Sequence, residues 1–280
     1  MTVTGGPDES HLMWVKEDHV KALVGVDFGE SSLAAAGWVS RWFLPKASLG
    51  LAYGVWMPER PDFAEPEEAE QDVLLEQAKQ EGRHALAPLV MEHGPSRAEA
   101  LVGSGTPAEA LLELAEEWGA DIIAVGPHGH TRFLTGFFGS TASRLLRQSR
   151  IPVLVVRNAD ASMPERILVA IDEGESTSPV LHAARDVVAS HGCGVTGFHA
   201  LGTPSEVTVT EGPRSAPVDP ELQSAAAAWL KEKFVEAGLS NGELRTTVGA
   251  GSAGRAICSA AAQDADLIVM GTRGAASGSA

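Results

Sequence analysis

Gly126, Gly129 and Gly139-Ser140-Thr141 read Gly-x2-Gly-x9-Gly-Ser-Thr, directly behind the apolar run Asp121-Ile-Ile-Ala-Val125. A short β-branched run ending in glycine predicts a buried strand. The stretch from Gly139 to Gln148 (GSTASRLLRQ) predicts a helix opened by small hydroxyl residues. Glycine lets the backbone approach a phosphate with no Cβ in the way. The unbonded amides of a helix N-terminus, helped by the Ser140 and Thr141 hydroxyls, then bind the anion. The stretch is a candidate nucleotide-phosphate cradle, and a purely structural loop and helix cap is the competing reading. His128, His130 and Arg132 lie inside the loop and have the chemistry to meet phosphate oxygens, although loop residues are usually just solvated. Phe133, Leu134, Phe137 and Phe138 are too apolar for an idle loop and read as packing in the chain or against a partner.

The elements that must position these residues occur twice. Lys21-Ala-Leu-Val-Gly-Val-Asp27 matches Arg166-Ile-Leu-Val-Ala-Ile-Asp172 at an offset of 145, and Glu30-Ser31 matches Glu175-Ser176. Asp121 to Gly126 matches Asp266 to Gly271 at the same offset of 145, as does Gly129 with Gly274. One offset at both ends of the unit means a duplicated domain. Strands are predicted at Ala22–Asp27, Leu49–Trp56, Ala98–Gly103, Asp121–Val125 and Val153–Arg157. The intervening helices begin near Ser31, near Pro66, behind the cap Thr106-Pro107, and at Gly139. Pro66 opens a long polar helix running into the Leu86 region, behind a Pro- and Glu-rich linker. Trp38 and Trp42, four apart, are expected on one helix face, as core or interface. The second unit repeats the pattern with strands at Val195–Ala200, Glu243–Val248 and Asp266–Met270, and with His199 as a buried or half-buried core histidine. Strands separated by helices imply an α/β fold with a parallel sheet covered on both faces. Ligands of such sheets sit at the carboxyl ends of the strands, which puts Asp27 and Gly126 on one rim.

Bulk properties narrow the function. A chain of 280 residues suggests two domains, and 44% hydrophobic with 21% charged residues is the composition of a soluble globular protein. The net charge of −16 disfavours nucleic acid and anionic membrane surfaces as partners. No apolar run is long enough to span a bilayer and the first 20 residues lack a signal-peptide core, so a cytoplasmic location is expected. Cys193 and Cys258 have no disulfide or metal-ligand spacing and read as reduced core thiols.

Taken in order, the Leu-Val-x-Val-Asp strand, the Asp-Ile-Ile-Ala-Val-Gly strand, the glycine loop and the run Ile151-Pro-Val-Leu-Val-Val156 resemble the universal stress proteins in tandem form. The resemblance implies two Rossmann-like domains of the adenine nucleotide alpha hydrolase type, each with a five-stranded parallel sheet. Their expected extents are 20–158 and 165–280, with 1–19 an N-terminal extension and the second domain lacking its last strand. It implies ATP, with or without Mg2+, as ligand. Gly126, Gly129, Gly139, Ser140 and Thr141 would take the phosphate positions, Asp27 the adenosine side, and Val55 a looser adenine-lining position. At Asp27 the competing reading is a cap for the helix beyond it.

Other nucleotide sites fit less well. There is no Gly-x4-Gly-Lys-Ser/Thr, no Gly-x-Gly-x-x-Gly after the first strand, and Asp27-Phe-Gly-Glu-Ser-Ser32 stands where pyrophosphatase relatives of this fold carry Ser-Gly-Gly-x-Asp-Ser. No catalytic constellation stands out. The reading is a nucleotide-responsive stress regulator, with a nucleotide-independent scaffold or a slow ATPase or autokinase as alternatives. In the second unit Asp172 and Gly271-x2-Gly274 remain, but the third glycine would fall beyond Ala280. One nucleotide per chain is therefore expected. The resemblance implies tandem domains that pair through their fifth strands as a pseudo-dimer. Here the single fifth strand predicts a homodimer through that edge, or a less stable protein.

Overall fold

The computed structural model describes residues 2–4, 20–56, 68–127, 139–157, 159, 162–201, 219–239, 245–250 and 252–272. In the N-terminal domain β2 (Lys21–Gly25), β3 (Ser48–Val55), β4 (Ala98–Ser104), β5 (Ile122–Val125) and β6 (Val153–Val155) form a parallel sheet in the order β4-β3-β2-β5-β6. Pairing runs Ala22 with Leu49 and Ile122, and Ile123 with Val153. β2 and β5 lie side by side although the chain leaves them toward opposite edges. That makes the gap between their carboxyl ends the switch point where open α/β sheets bind ligands.

Both faces are covered because the strand residues are apolar on both. Leu23, Ile123, Val125, Val153 and Val155 form one core with Ala108, Leu111 and Leu114 of α3 (Pro107–Trp118) and Ala142 and Leu145 of α4 (Ser140–Gln148). Their neighbours Ala22, Val24, Ile122, Ala124 and Leu154 are equally buried and point the other way. α1 (Glu30–Trp38) and α2 (Glu68–His93) lie on that second face, with Ser31 against Gly126 and Gly82 against Tyr53.

Two helices depart from the sequence expectation. α1 runs into a π-turn over Val39–Phe43, closed by Leu44 N–H to Val39 O at 2.8 Å. With five residues between bonded groups, Phe43 rather than Trp42 comes round to Trp38. Their rings stack at 5.3 Å, and Trp42 is left 39% exposed. α2 continues through Pro88 to His93 instead of ending near Leu86. An internal proline costs about 3 kcal/mol. Leu86 anchors the helix just before the proline, and the turn beyond it is tied down by Ser40 Oγ to His93 Nδ1 at 3.0 Å and by Arg97 Nε to His93 O at 3.1 Å.

The C-terminal domain repeats the design with β7 (Arg166–Ala170), α5 (Thr177–His191), β8 (Gly194–Leu201), α6 (Pro220–Glu236), β9 (Arg245–Ala250), α7 (Ala253–Asp264) and β10 (Leu267–Met270). From residue 165 onward it contributes four strands among the described residues. The fifth place, beside β10, is taken by β1 (Thr2–Thr4), parallel and in register with Thr2 opposite Ile268 and Val3 opposite Val269. This domain's order is thus β1-β10-β7-β8-β9, and β1 groups with it rather than standing outside as an extension. Cys193 is buried, as expected, whereas Cys258 lies on an exposed position of α7. His199 is half-buried, its Nδ1 3.0 Å from Ile171 O and its ring 5.0 Å from that of Trp229.

Candidate functional site

At the switch point of the N-terminal sheet lies a cavity of about 260 Å³. Its walls come from the ends of β2, β3 and β5 and from the first turns of α3 and α4. Asp27, Gly126, Gly139, Ser140 and Thr141 all lie on them. Five of the eight residues singled out in the sequence therefore converge. Gly129 and His130 fall outside the described residues, as do Phe133, Leu134, Phe137 and Phe138. Val55 is buried at the end of β3 and is not on the wall; Ala52 and Gly54, facing the other way along the same strand, are. Gly54 permits this because a Cβ there would come 3.0 Å from Ala110 Cβ and 3.2 Å from Pro107 Cα, so β3 can press against α3.

Asp27 combines its two readings. Its Oδ1 accepts from Gly29 N–H at 2.9 Å and from the Ser32 hydroxyl at 2.6 Å, which fixes the turn into α1, while the residue also lines the cavity. Between them Phe28 adopts a left-handed backbone, φ 61°, and its ring packs 5.2 Å from Tyr53. A bulky residue there costs about 1–3 kcal/mol, and such outliers concentrate at functional sites.

The glycine motif has a packing reason as well as a phosphate one. A Cβ on Gly126 would stand 2.9 Å from the Ser31 carbonyl oxygen, so β5 ends in direct contact with α1. Gly139 N–H donates to Pro127 O at 2.8 Å, which closes the loop and brings the third glycine beside the first. Gly139 is the N-cap of α4, and helix geometry leaves the N–H groups of Ser140, Thr141 and Ala142 without intrahelical acceptors. No acidic side chain occupies that first turn, in contrast to α1 and α3. The positive end of α4 therefore faces the cavity uncompensated by its own residues.

The residues that spacing alone did not reveal are Ser31, Ser32, Phe28, Pro107 and Leu111. Ser31 and Ser32 carried a usable signal: their counterparts at the offset of 145 are Ser176 and Thr177. Ser176 behaves as Ser31 does, since a Cβ on Gly271 would lie 2.6 Å from Ser176 Oγ, and Asp172 Oδ1 accepts from Gly174 N–H at 2.9 Å as Asp27 does from Gly29. Thr177 differs from Ser32 in donating to the Asp172 main-chain oxygen.

A larger cavity, about 590 Å³, opens between α5 and α6, lined by Asp172, Glu173, Glu175, Glu236, His182 and Trp229 among others. Its carboxylates outnumber the one lysine on its described wall, Lys233, and disfavour an anionic ligand, so the smaller cavity is the better nucleotide candidate.

Comparison with known proteins decides the family. The model of the universal stress protein family matches residues 20–157 and again 163–279. The chain belongs to the universal stress protein family. A universal stress protein of Mycobacterium tuberculosis is 26% identical over 267 residues, covering 90% of this chain and 86% of the relative. One from Methanocaldococcus jannaschii is 28% identical over 140 residues, 49% of this chain and 81% of the relative. The crystal structure of a universal stress protein from Archaeoglobus fulgidus superposes with a TM-score of 0.64 at 19% identity, covering 92% of this chain and 88% of that one. This universal stress protein has, among its described residues, no helix long and apolar enough to cross a membrane.

Proposed function

We propose that this universal stress protein binds ATP in its N-terminal domain and acts as a nucleotide-responsive regulator of the stress response in the cytoplasm. The observation that carries this reading is the cavity at the switch point. There the carboxylate of Asp27 and the open amides of α4 face one space, the first suited to a ribose or base and the second to phosphates. ATP acts in this reading as a ligand that shifts the loop and its neighbouring helices rather than as a substrate. Titration calorimetry of the full chain with ATP, with and without Mg2+, is expected to show about one site per chain. AMP and a cyclic nucleotide serve as competitors that rank the ligands. Absence of binding at millimolar ATP sinks the proposal.

The scaffold alternative draws on one observation. Gly126 and Gly271 each have a contact with a serine that requires glycine with or without a ligand. The same calorimetry separates the two readings, because a scaffold gives no heat with any nucleotide.

A further inference from the structure

Arg144 offers the site a positive charge that the described part of the cavity wall lacks. Among the described wall residues there is no lysine or arginine, and Asp27 contributes a carboxylate, in a chain whose net charge is −16. Arg144 lies on α4, four residues after Ser140 and three after Thr141, and so shares their face of the helix. Its Nη1 donates to Thr106 Oγ1 at 3.2 Å, its Nη2 to Glu109 Oε1 at 2.6 Å, and its Nε to Gln148 Oε1 at 3.2 Å. Thr106 caps α3, and Pro107 of that first turn is cavity wall. The guanidinium therefore sits at the seam between the two helix N-termini that frame the site.

The partner it holds there is easily exchanged. The Arg144 and Glu109 side chains keep 37% and 43% exposure, so water screens their attraction. Glu109 also has a second engagement. Its Oε2 accepts from the Thr106 hydroxyl at 2.6 Å and the Thr106 N–H at 3.1 Å, completing the capping box of α3. A terminal phosphate carries more charge than a carboxylate and matches the planar fork of a guanidinium. Building on the nucleotide reading above, we propose that Arg144 is the residue by which this site tells a nucleoside triphosphate from a monophosphate. On binding it leaves Glu109 for the terminal phosphate. The exchange loosens α3 from α4 at the same moment, so the phosphate count is reported at that seam.

The test is calorimetry on the full chain with ATP and AMP, comparing wild type, Arg144→Gln and Glu109→Gln. Arg144→Gln is expected to weaken ATP about tenfold while AMP stays within about twofold. Glu109→Gln keeps the capping box, because glutamine serves at that position, and is expected to tighten ATP without changing AMP. An ATP-to-AMP affinity ratio in Arg144→Gln equal to the wild-type ratio overturns the role of Arg144 and leaves nucleotide binding standing. A wild-type chain that binds neither nucleotide overturns both. Unchanged thermal midpoints in the two variants show that affinity, not folding, is being read.

Discussion

The glycines of the motif carry two demands at once, and residue-level tests can separate them. Gly126 is pressed on the Ser31 carbonyl and Gly271 on the Ser176 side chain, at 2.9 and 2.6 Å from the Cβ each would gain. Gly126→Ala and Gly271→Ala are each expected to cost about 1–3 kcal/mol in urea unfolding, through overpacking. Gly271 makes the stronger case, since it lies in the C-terminal domain, away from the proposed nucleotide site. An unchanged unfolding midpoint for Gly271→Ala would show that packing does not require the glycine. Phe28 is the residue-scale feature no pattern predicts. Its left-handed backbone sits between the Asp27 turn and the ring contact with Tyr53.

Among the elements, the junction of α1, its π-turn and α2 has a titratable pin. Burial holds the His93 imidazole below its usual value of 6.5, with Arg97 and Arg41 pushing the same way and Glu92 opposing. Folding therefore favours the neutral ring. The stability this contributes is complete above about pH 6.5 and is lost as pH falls through the depressed folded value. Wild type is expected to lose more stability than His93→Gln between about pH 7.5 and about pH 5.5, measured by the urea midpoint. Equal losses would rule out the pin. At α3 the capping box is the weak point of the site's frame. Thr106→Ala removes the hydroxyl that Glu109 and Arg144 share and is expected to cost about 1 kcal/mol, read by the same unfolding experiment.

At the scale of the whole molecule, the division into domains does not follow the linear repeat. The C-terminal domain is assembled from residues at both ends of the described chain, with Thr2–Thr4 filling the position beside β10 that β6 fills beside β5. A proline cannot donate to a sheet ladder. Val3→Pro is accordingly expected to speed amide hydrogen exchange in Leu267–Met270 and to lower the stability of the C-terminal domain, with ATP affinity in the N-terminal domain unchanged. Protection of β10 that survives the substitution would show that β1 contributes nothing to that sheet.

The sequence by itself determined the repeat, the α/β alternation and most of the strands, because a buried parallel strand has to be a short apolar run and a helix start has to be capped. It also determined that Gly126, Gly139, Ser140, Thr141 and Asp27 belong together, since each lies at the end of a strand or the start of a helix and the topology sends such ends to one rim. Which neighbours complete the site became visible in the packed fold. Ala52 and Gly54 face the cavity and Val55 does not, and Arg144 reaches across to Glu109. The three-residue strand Thr2–Thr4 lies below the length at which periodicity can be read, and its partner is more than 260 residues away. Local pattern encodes which way a side chain must face to be buried. Which surfaces then meet is set by sheet order and by loop closures such as Gly139 on Pro127, and those are contacts between residues that no spacing rule connects.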